Sequence, residues 1–207
     1  MSKFYTNLVL LGDDILYRGY EHGQRVQYRE RSSPVLFFVP KAQTKPTKFK
    51  TLDGRRAYKK QFSGAREARE VLKQYEDTDG LEVHGYERFV YQHINQQFPA
   101  DIDYDMSMMK IYTIDIEVAC ENGFPDVQAS AEEMLCLTIK DFNTKKIITW
   151  GTREFTPPEG VEYRVFWTEQ EMLQDFHKWW SDNTPDIITG WNNNLYDIPY
   201  ILSLIHI

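Results

Sequence analysis

Asp115 and Glu117 stand at i and i+2 in the run Lys110-Ile111-Tyr112-Thr113-Ile114-Asp115-Ile116-Glu117-Val118. The apolar residues around them read as a strand, and the two-residue period of a strand puts both carboxylates on one face. Ionised carboxylates are costly to bury without a partner. The pair therefore predicts either a face open to solvent or a place where cations sit. A further acid, Asp197, lies in Thr189-Gly190-Trp191-Asn192, three residues, then Tyr196-Asp197-Ile198-Pro199-Tyr200. That stretch reads as the end of a strand, a loop and the start of a helix, with Asp197 at the last junction.

The elements between these acids would have to bring them together. Met134 to Phe142 and Ile147 to Gly151 read as strands joined by the hairpin connection Asn143-Thr144-Lys145-Lys146. A proline-containing loop, Thr156 to Gly160, follows. Thr168-Glu169-Gln170-Glu171 is a capping-box helix start, and Met172, Leu173, Phe176, Trp179 and Trp180 form one apolar stripe beyond it. Asp186 to Gly190 returns as a short strand. A helix leading into a strand parallel to its neighbour implies a right-handed crossover, and the order β-β-β-α-β is that of a ribonuclease H-like fold.

Upstream, Phe4 to Val39 reads as a meander of strands with a turn in Arg18 to Gly23. Val35 to Val39 is a buried strand closed by Pro40, and Leu52-Asp53-Gly54 is the turn of a basic hairpin. Ser63 is placed to cap a helix whose apolar positions are Ala65, Ala68, Val71, Leu72 and Tyr75. The first hundred residues thus predict an α+β module. Phe98 to Asp101 has the composition of a connector, and the domain boundary is expected near residue 108, giving domains 1–108 and 109–207.

The formal net charge is -7, yet residues 109–207 carry 7 Lys+Arg against 16 Asp+Glu while residues 1–108 carry 17 against 15. Lys41 to Lys60 holds eight basic residues, Lys48, Lys50, Arg55 and Arg56 among them, against the single acid Asp53. This segment is either a phosphate-facing surface or a solvated hairpin. No run approaches the roughly 18 apolar residues of a membrane helix, and the opening lacks the apolar core of a signal peptide; no membrane is expected. Cys120 and Cys136 match neither a zinc knuckle nor a disulfide framework. They read as reduced thiols near strands.

Asp115-Ile116-Glu117 resembles the first exonuclease motif of family B DNA polymerases, and Asn192 with Tyr196-Asp197 resembles the second. The interval between them and the hundred-residue leader resemble the T-even-like phage branch, as does Gly123-Phe124-Pro125. The resemblance implies an α+β N-terminal domain followed by a C-terminally truncated α/β ribonuclease H-like 3′→5′ proofreading exonuclease with a mixed sheet. It implies two divalent ions, Mg²⁺ or Mn²⁺, hydrolysing phosphodiester bonds at a primer 3′ end. Asp115 would bridge both ions, Glu117 would serve the ion that holds the attacking water, and Asp197 would serve the other.

Phe124 would stack on single-stranded or primer-template DNA and Asn192 would hydrogen-bond it. The bland readings of these two are a core anchor and a turn former. The same resemblance points to RNA at the N-terminal domain, to a sliding clamp and other replication proteins as partners of the parent polymerase, and to the cytoplasm of a phage-infected bacterial cell. The family's third motif, a Tyr and an Asp, is not in these 207 residues, so the fragment itself is expected to be inactive and unable to polymerise DNA. Ser203 to Ile207 is more apolar than the family's helix at that point, and His206 is not read as a ligand. Two other functions remain open: a metal-independent single-stranded nucleic-acid-binding module, and a stand-alone ribonuclease H-like nuclease.

Overall fold

A computed structural model describes residues 3–42, 45–76, 78–85, 87–120, 123 and 125–206. The chain splits into two compact units, Met1–Asp105 and Met106–Ile207.

The first unit opens with a three-stranded antiparallel meander, β1 (Lys3–Leu11), β2 (Asp14–Glu21) and β3 (Gln24–Arg31). Its turns are Gly12-Asp13 and His22-Gly23, the second narrower than the expected Arg18 to Gly23. His22 and Gly23 both have positive φ, 52° and 83°, which matches the right-handed twist of a tight hairpin. A second, four-stranded sheet has the order β5-β6-β4-β7. Its members are β4 (Val35–Pro40), β5 (Phe49–Lys50), β6 (Arg56–Gln61) and β7 (Leu81–His84). Helices α1 (Ala65–Tyr75) and α2 (Phe89–Gln97) complete the unit, with Leu36, Phe62, Ala65, Ala68 and Phe89 as a buried cluster.

Helix α1 starts one residue later than its sequence suggests and is capped from afar. The N-cap is Gly64, without a side-chain cap, and Ser63 turns both its N–H and its hydroxyl to Glu67. The acceptor for the Arg66 N–H is Asp13, in the β1–β2 turn, at 2.7 Å. Arg31 bridges the same places by donating to Asp13 and to the Ser63 carbonyl.

The second unit is a mixed sheet of order β11-β10-β9-β8-β12. Strands β8 (Ile111–Val118), β9 (Met134–Asp141) and β10 (Ile147–Gly151) run antiparallel in sequence. Strand β11 (Val161–Val165) then pairs parallel with β10, helix α3 (Glu169–Asp182) crosses, and β12 (Ile187–Thr189) pairs parallel with β8. Helix α4 (Asp197–His206) follows. Strand β11 was not expected from the sequence, so the order is β-β-β-β-α-β rather than β-β-β-α-β.

The alternation of β8 decides which face is wet. Ile114 and Ile116 are buried, whereas Thr113, Asp115 and Glu117 are exposed. The buried face joins Leu137, Ile139, Ile148 and Trp150 with Met172, Leu173 and Phe176 of α3 and Tyr200 and Ile201 of α4. Thr168 caps α3 as the sequence predicts, its side chain accepting the Glu171 N–H at 3.2 Å. Trp150 is fully buried and its indole N–H donates to Asp175 of α3 at 2.7 Å. Arg164 of β11 donates to the same carboxylate at 2.9 Å and reaches Glu162, which also takes Lys146. This network fastens the unexpected strand to the helix.

Candidate metal and nucleic-acid site

The three acids are carried by two elements, β8 and α4, and two devices place them. Strand alternation sets Asp115 and Glu117 on the exposed face. Asp197 comes from the first turn of α4 and is only 4% exposed. Strand β12 ends opposite Thr113, and just beyond that pairing the Asp197 carboxylate accepts the Ile116 backbone N–H. The acid therefore does the work of the strand that has stopped.

Burial pushes the Asp197 carboxyl above its ordinary range; the Ile116 N–H pulls the other way, and the charge of Asp115 adds to the rise. Burial likewise raises the Cys136 thiol, opposite Glu117 in the β8–β9 register, with Glu117 and Asp115 adding to it. Burial also raises Tyr196, with Tyr200, Asp197 and Glu117 contributing. Negative charge is thus concentrated where β8, β9 and α4 converge, and a cation would relieve it. The donors are all carboxylate oxygens, the set that suits Mg²⁺ or Mn²⁺. Among the described residues, no three Asp, Glu, His or Cys side chains converge into a ready metal cage; the fit rests on the chemistry of the donors and on the charge they accumulate.

The loop from β12 to α4 is held close to β8. A Cβ on Gly190 would lie 2.7 Å from the Ile114 carbonyl oxygen and 3.2 Å from the Asn193 Cβ, so only glycine lets the chain pass here. The Asn192 carbonyl accepts the N–H groups of Leu195 and Tyr196 at 3.1 and 2.9 Å, and the Asn193 carbonyl accepts that of Ile198 at 3.0 Å. The Asn192 side chain is exposed and Asn193 is buried. Asn192 thus forms the turn through its backbone while its amide remains available. Tyr200, fully buried, donates its hydroxyl to the Glu132 carbonyl at 2.7 Å and ties α4 to the segment before β9. The sequence does not single out Asn193, and it brings in Gly190 and Tyr200 only as parts of the motif stretch, with no role of their own; all three support the site. Burial and a close approach made by backbone leave no periodic signal. Phe124 lies outside the described residues.

The basic residues belong to the first unit. Lys48, Lys50 and Arg56 are exposed, but Arg55 is engaged, its guanidinium donating to Asp53 at 2.7 Å and to both oxygens of Glu82. Arg55 is therefore partly neutralised by its own neighbours. Phe49 packs edge-on to Phe37 at 5.3 Å, and the Lys48 ammonium sits 5.3 Å over the Phe49 ring.

The family model for DNA polymerase family B, exonuclease domain, matches residues 87–207. The chain is 26% identical to the DNA-directed DNA polymerase of Escherichia phage RB69 over 99% of its length, and 25% identical to that of Enterobacteria phage T4 over 98%. It spans 26% and 25% of those two polymerases. It is also 34% identical, over 42% of its length, to 9% of the DNA polymerase catalytic subunit of Epstein-Barr virus (strain B95-8). With the match covering more than half of the chain, including β8, α4 and the three acids, this protein belongs to the DNA polymerase family B, exonuclease domain family.

Proposed function

We propose that this chain forms part of a replicative, phage-type DNA polymerase: its N-terminal domain, residues 1–108, and a ribonuclease H-like 3′→5′ proofreading exonuclease domain from residue 109 onward. The observation that carries this reading is the burial of Asp197 at the start of α4, just after a loop that Gly190 lets lie against Ile114 of the strand bearing Asp115 and Glu117. Two bound Mg²⁺ or Mn²⁺ ions would supply an activated water and stabilise the departing 3′-oxygen. The chain's own part is to hold that chemistry in place. Asp115 and Glu117 present oxygens from a rigid strand, Asp197 offers a carboxylate fixed by a backbone N–H, and Gly190 lets the Asn192 loop lie against β8.

The substrate in this reading is single-stranded DNA or the frayed end of primer-template DNA, contacted by Asn192 and Phe124. A sliding clamp and other replication proteins would be partners of the whole polymerase, in the cytoplasm of an infected bacterial cell. No helix among the described residues is long and apolar enough to cross a membrane. The 207-residue chain, which contains no third motif, should cut slowly or not at all and should not polymerise DNA.

The test is digestion of 5′-labelled single-stranded DNA with Mg²⁺, Mn²⁺ or chelator, using this chain, a chain extended through the third motif, and Asp115→Ala in each. Shortening from the 3′ end by the extended chain, lost with chelator and reduced at least on the order of 10²-fold by Asp115→Ala, supports the reading. An extended chain that leaves DNA intact would refute it.

A second reading is favoured by the first unit. Phe37 has Lys59 and His84 as cross-strand neighbours, and together with Phe49 and Lys48 this makes an aromatic and basic sheet face suited to single-stranded nucleic acid, RNA included. Exposed Lys50 and Arg56 extend it. Binding by the 207-residue chain that survives chelation and Asp115→Ala but is weakened by Lys48→Ala with Lys50→Ala would support this reading beside the first.

A further inference from the structure

Trp191 is 101% exposed. A single apolar residue on a surface is ordinary; its position is what distinguishes this one. The parallel pairing of β12 with β8 ends at Thr189↔Thr113. Two residues further along each chain stand Trp191 and Asp115. Gly190, between Thr189 and Trp191, is held so close to Ile114 that a Cβ would lie 2.7 Å from its carbonyl oxygen. The backbone that carries the indole is therefore fixed against β8, next to the carboxylates. Leu195, 78% exposed, lies in the same loop.

The charge balance explains why an aromatic surface would be needed there. Residues 109–207 carry 7 Lys+Arg against 16 Asp+Glu, so salt-type contacts to phosphates cannot dominate strand binding in this unit. Stacking on a base needs no cation and tolerates any sequence, because every base has a π-face. An indole is also large and rigid, so little conformational entropy is lost when a base covers it.

We infer that Trp191 is a stacking platform for a nucleobase of single-stranded DNA at this site, setting how firmly the strand end is held. The inference deepens the exonuclease reading and rests on it for the identity of the ligand. Trp191 acts on the strand and not on the reacting atoms.

The experiment uses the 207-residue chain in chelator, where nothing is cut, with a short oligodeoxythymidylate and the same oligonucleotide abasic at its 3′ end. Trp150 is fully buried, and Trp167 is the other strongly exposed tryptophan, at 90%. Binding should quench fluorescence in the parent chain and in Trp167→Phe, while Trp191→Phe should lose the quench and keep the affinity. Trp191→Ala should weaken binding about 5- to 100-fold, and that loss should vanish with the abasic oligonucleotide. Because the residue is exposed, the unfolding midpoint should not change, which separates lost binding from lost fold. The inference is overturned if the parent chain shows no quench, if Trp191→Ala binds as tightly as the parent, or if the abasic end makes no difference. The readouts also separate the two claims. Cleavage lost in Asp115→Ala with unchanged binding by Trp191→Ala sinks this inference alone, and Trp191-dependent binding without cleavage by the extended chain sinks the nuclease.

Discussion

The indole N–H of Trp150 donates to Asp175 at 2.7 Å, joining the fully buried Trp150 of β10 to a half-buried carboxylate of α3. Trp150 also packs edge-on against Phe176 and Trp179 and carries the Arg164 guanidinium 5.2 Å above its ring. The hydrogen bond thus sits where sheet, helix and β11 meet. Asp175→Ala leaves the indole N–H without its acceptor and Arg164 without one of its carboxylates. The expected loss is about 1–3 kcal/mol of stability, read as a lower urea midpoint, and Asp175→Asn should recover part of it.

Acid should weaken the same corner. Hydrogen bonds from Lys146 and Arg164 hold Glu162 below its ordinary range. For Asp175, burial raises the carboxyl, but the hydrogen bonds from Trp150 and Arg164 outweigh it and the net direction is down. A carboxyl lowered on folding stabilises the fold above its unfolded value, and that stability is lost as pH falls through the folded value. Unfolding free energy should therefore decline as pH drops below about 4. The double variant Glu162→Gln, Asp175→Asn should flatten the decline; an unchanged slope would show that other carboxylates govern it.

Asp197 has the opposite sign. Burial and the charge of Asp115 raise it, so its ionisation at neutral pH works against the fold. Asp197→Asn keeps an oxygen for the Ile116 N–H and removes the charge. In chelator this variant should be as stable as the parent or more so, while any rise in melting temperature given by Mg²⁺ or Mn²⁺ should disappear. Equal stabilisation of variant and parent by the ions would remove Asp197 from the ligand set.

Gly190→Ala places a methyl 2.7 Å from the Ile114 carbonyl oxygen, a backbone atom that cannot turn aside. Overpacking of this kind costs about 1–3 kcal/mol, and β12 should separate from β8. Thermal unfolding measures the cost, and loss of the Trp191 quench on oligonucleotide addition would show that the loop has moved with the strand.

Much of the second unit was legible because its signals are local. The acids of β8 alternate with buried isoleucines, Asn143 to Lys146 joins β9 to β10, and Thr168 caps α3 as its capping box requires. What escaped depends on distant partners. Val161–Val165 is five residues long, follows a proline-containing loop, and owes its place to β10 and to the Arg164–Asp175 contact. The cap of α1 is Asp13, 53 residues from the N–H it accepts, and no local pattern points to it. In the site, the types and spacing of the acids were visible, whereas the burial of Asp197 and its bond to Ile116 required the end of β12 to be located.

The short reach of β12 also has a kinetic consequence. Its three residues pair with β8 alone in the sheet, while Ile114, Leu137 and Ile139 are sealed in the core. Hydrogen exchange should find the Ile188 and Thr189 amides opening far more often than those at the centre of β9, as one small cooperative unit with the loop that follows. The segment bearing Trp191 and Asn192 could then lift and resettle while the rest of the sheet stays closed.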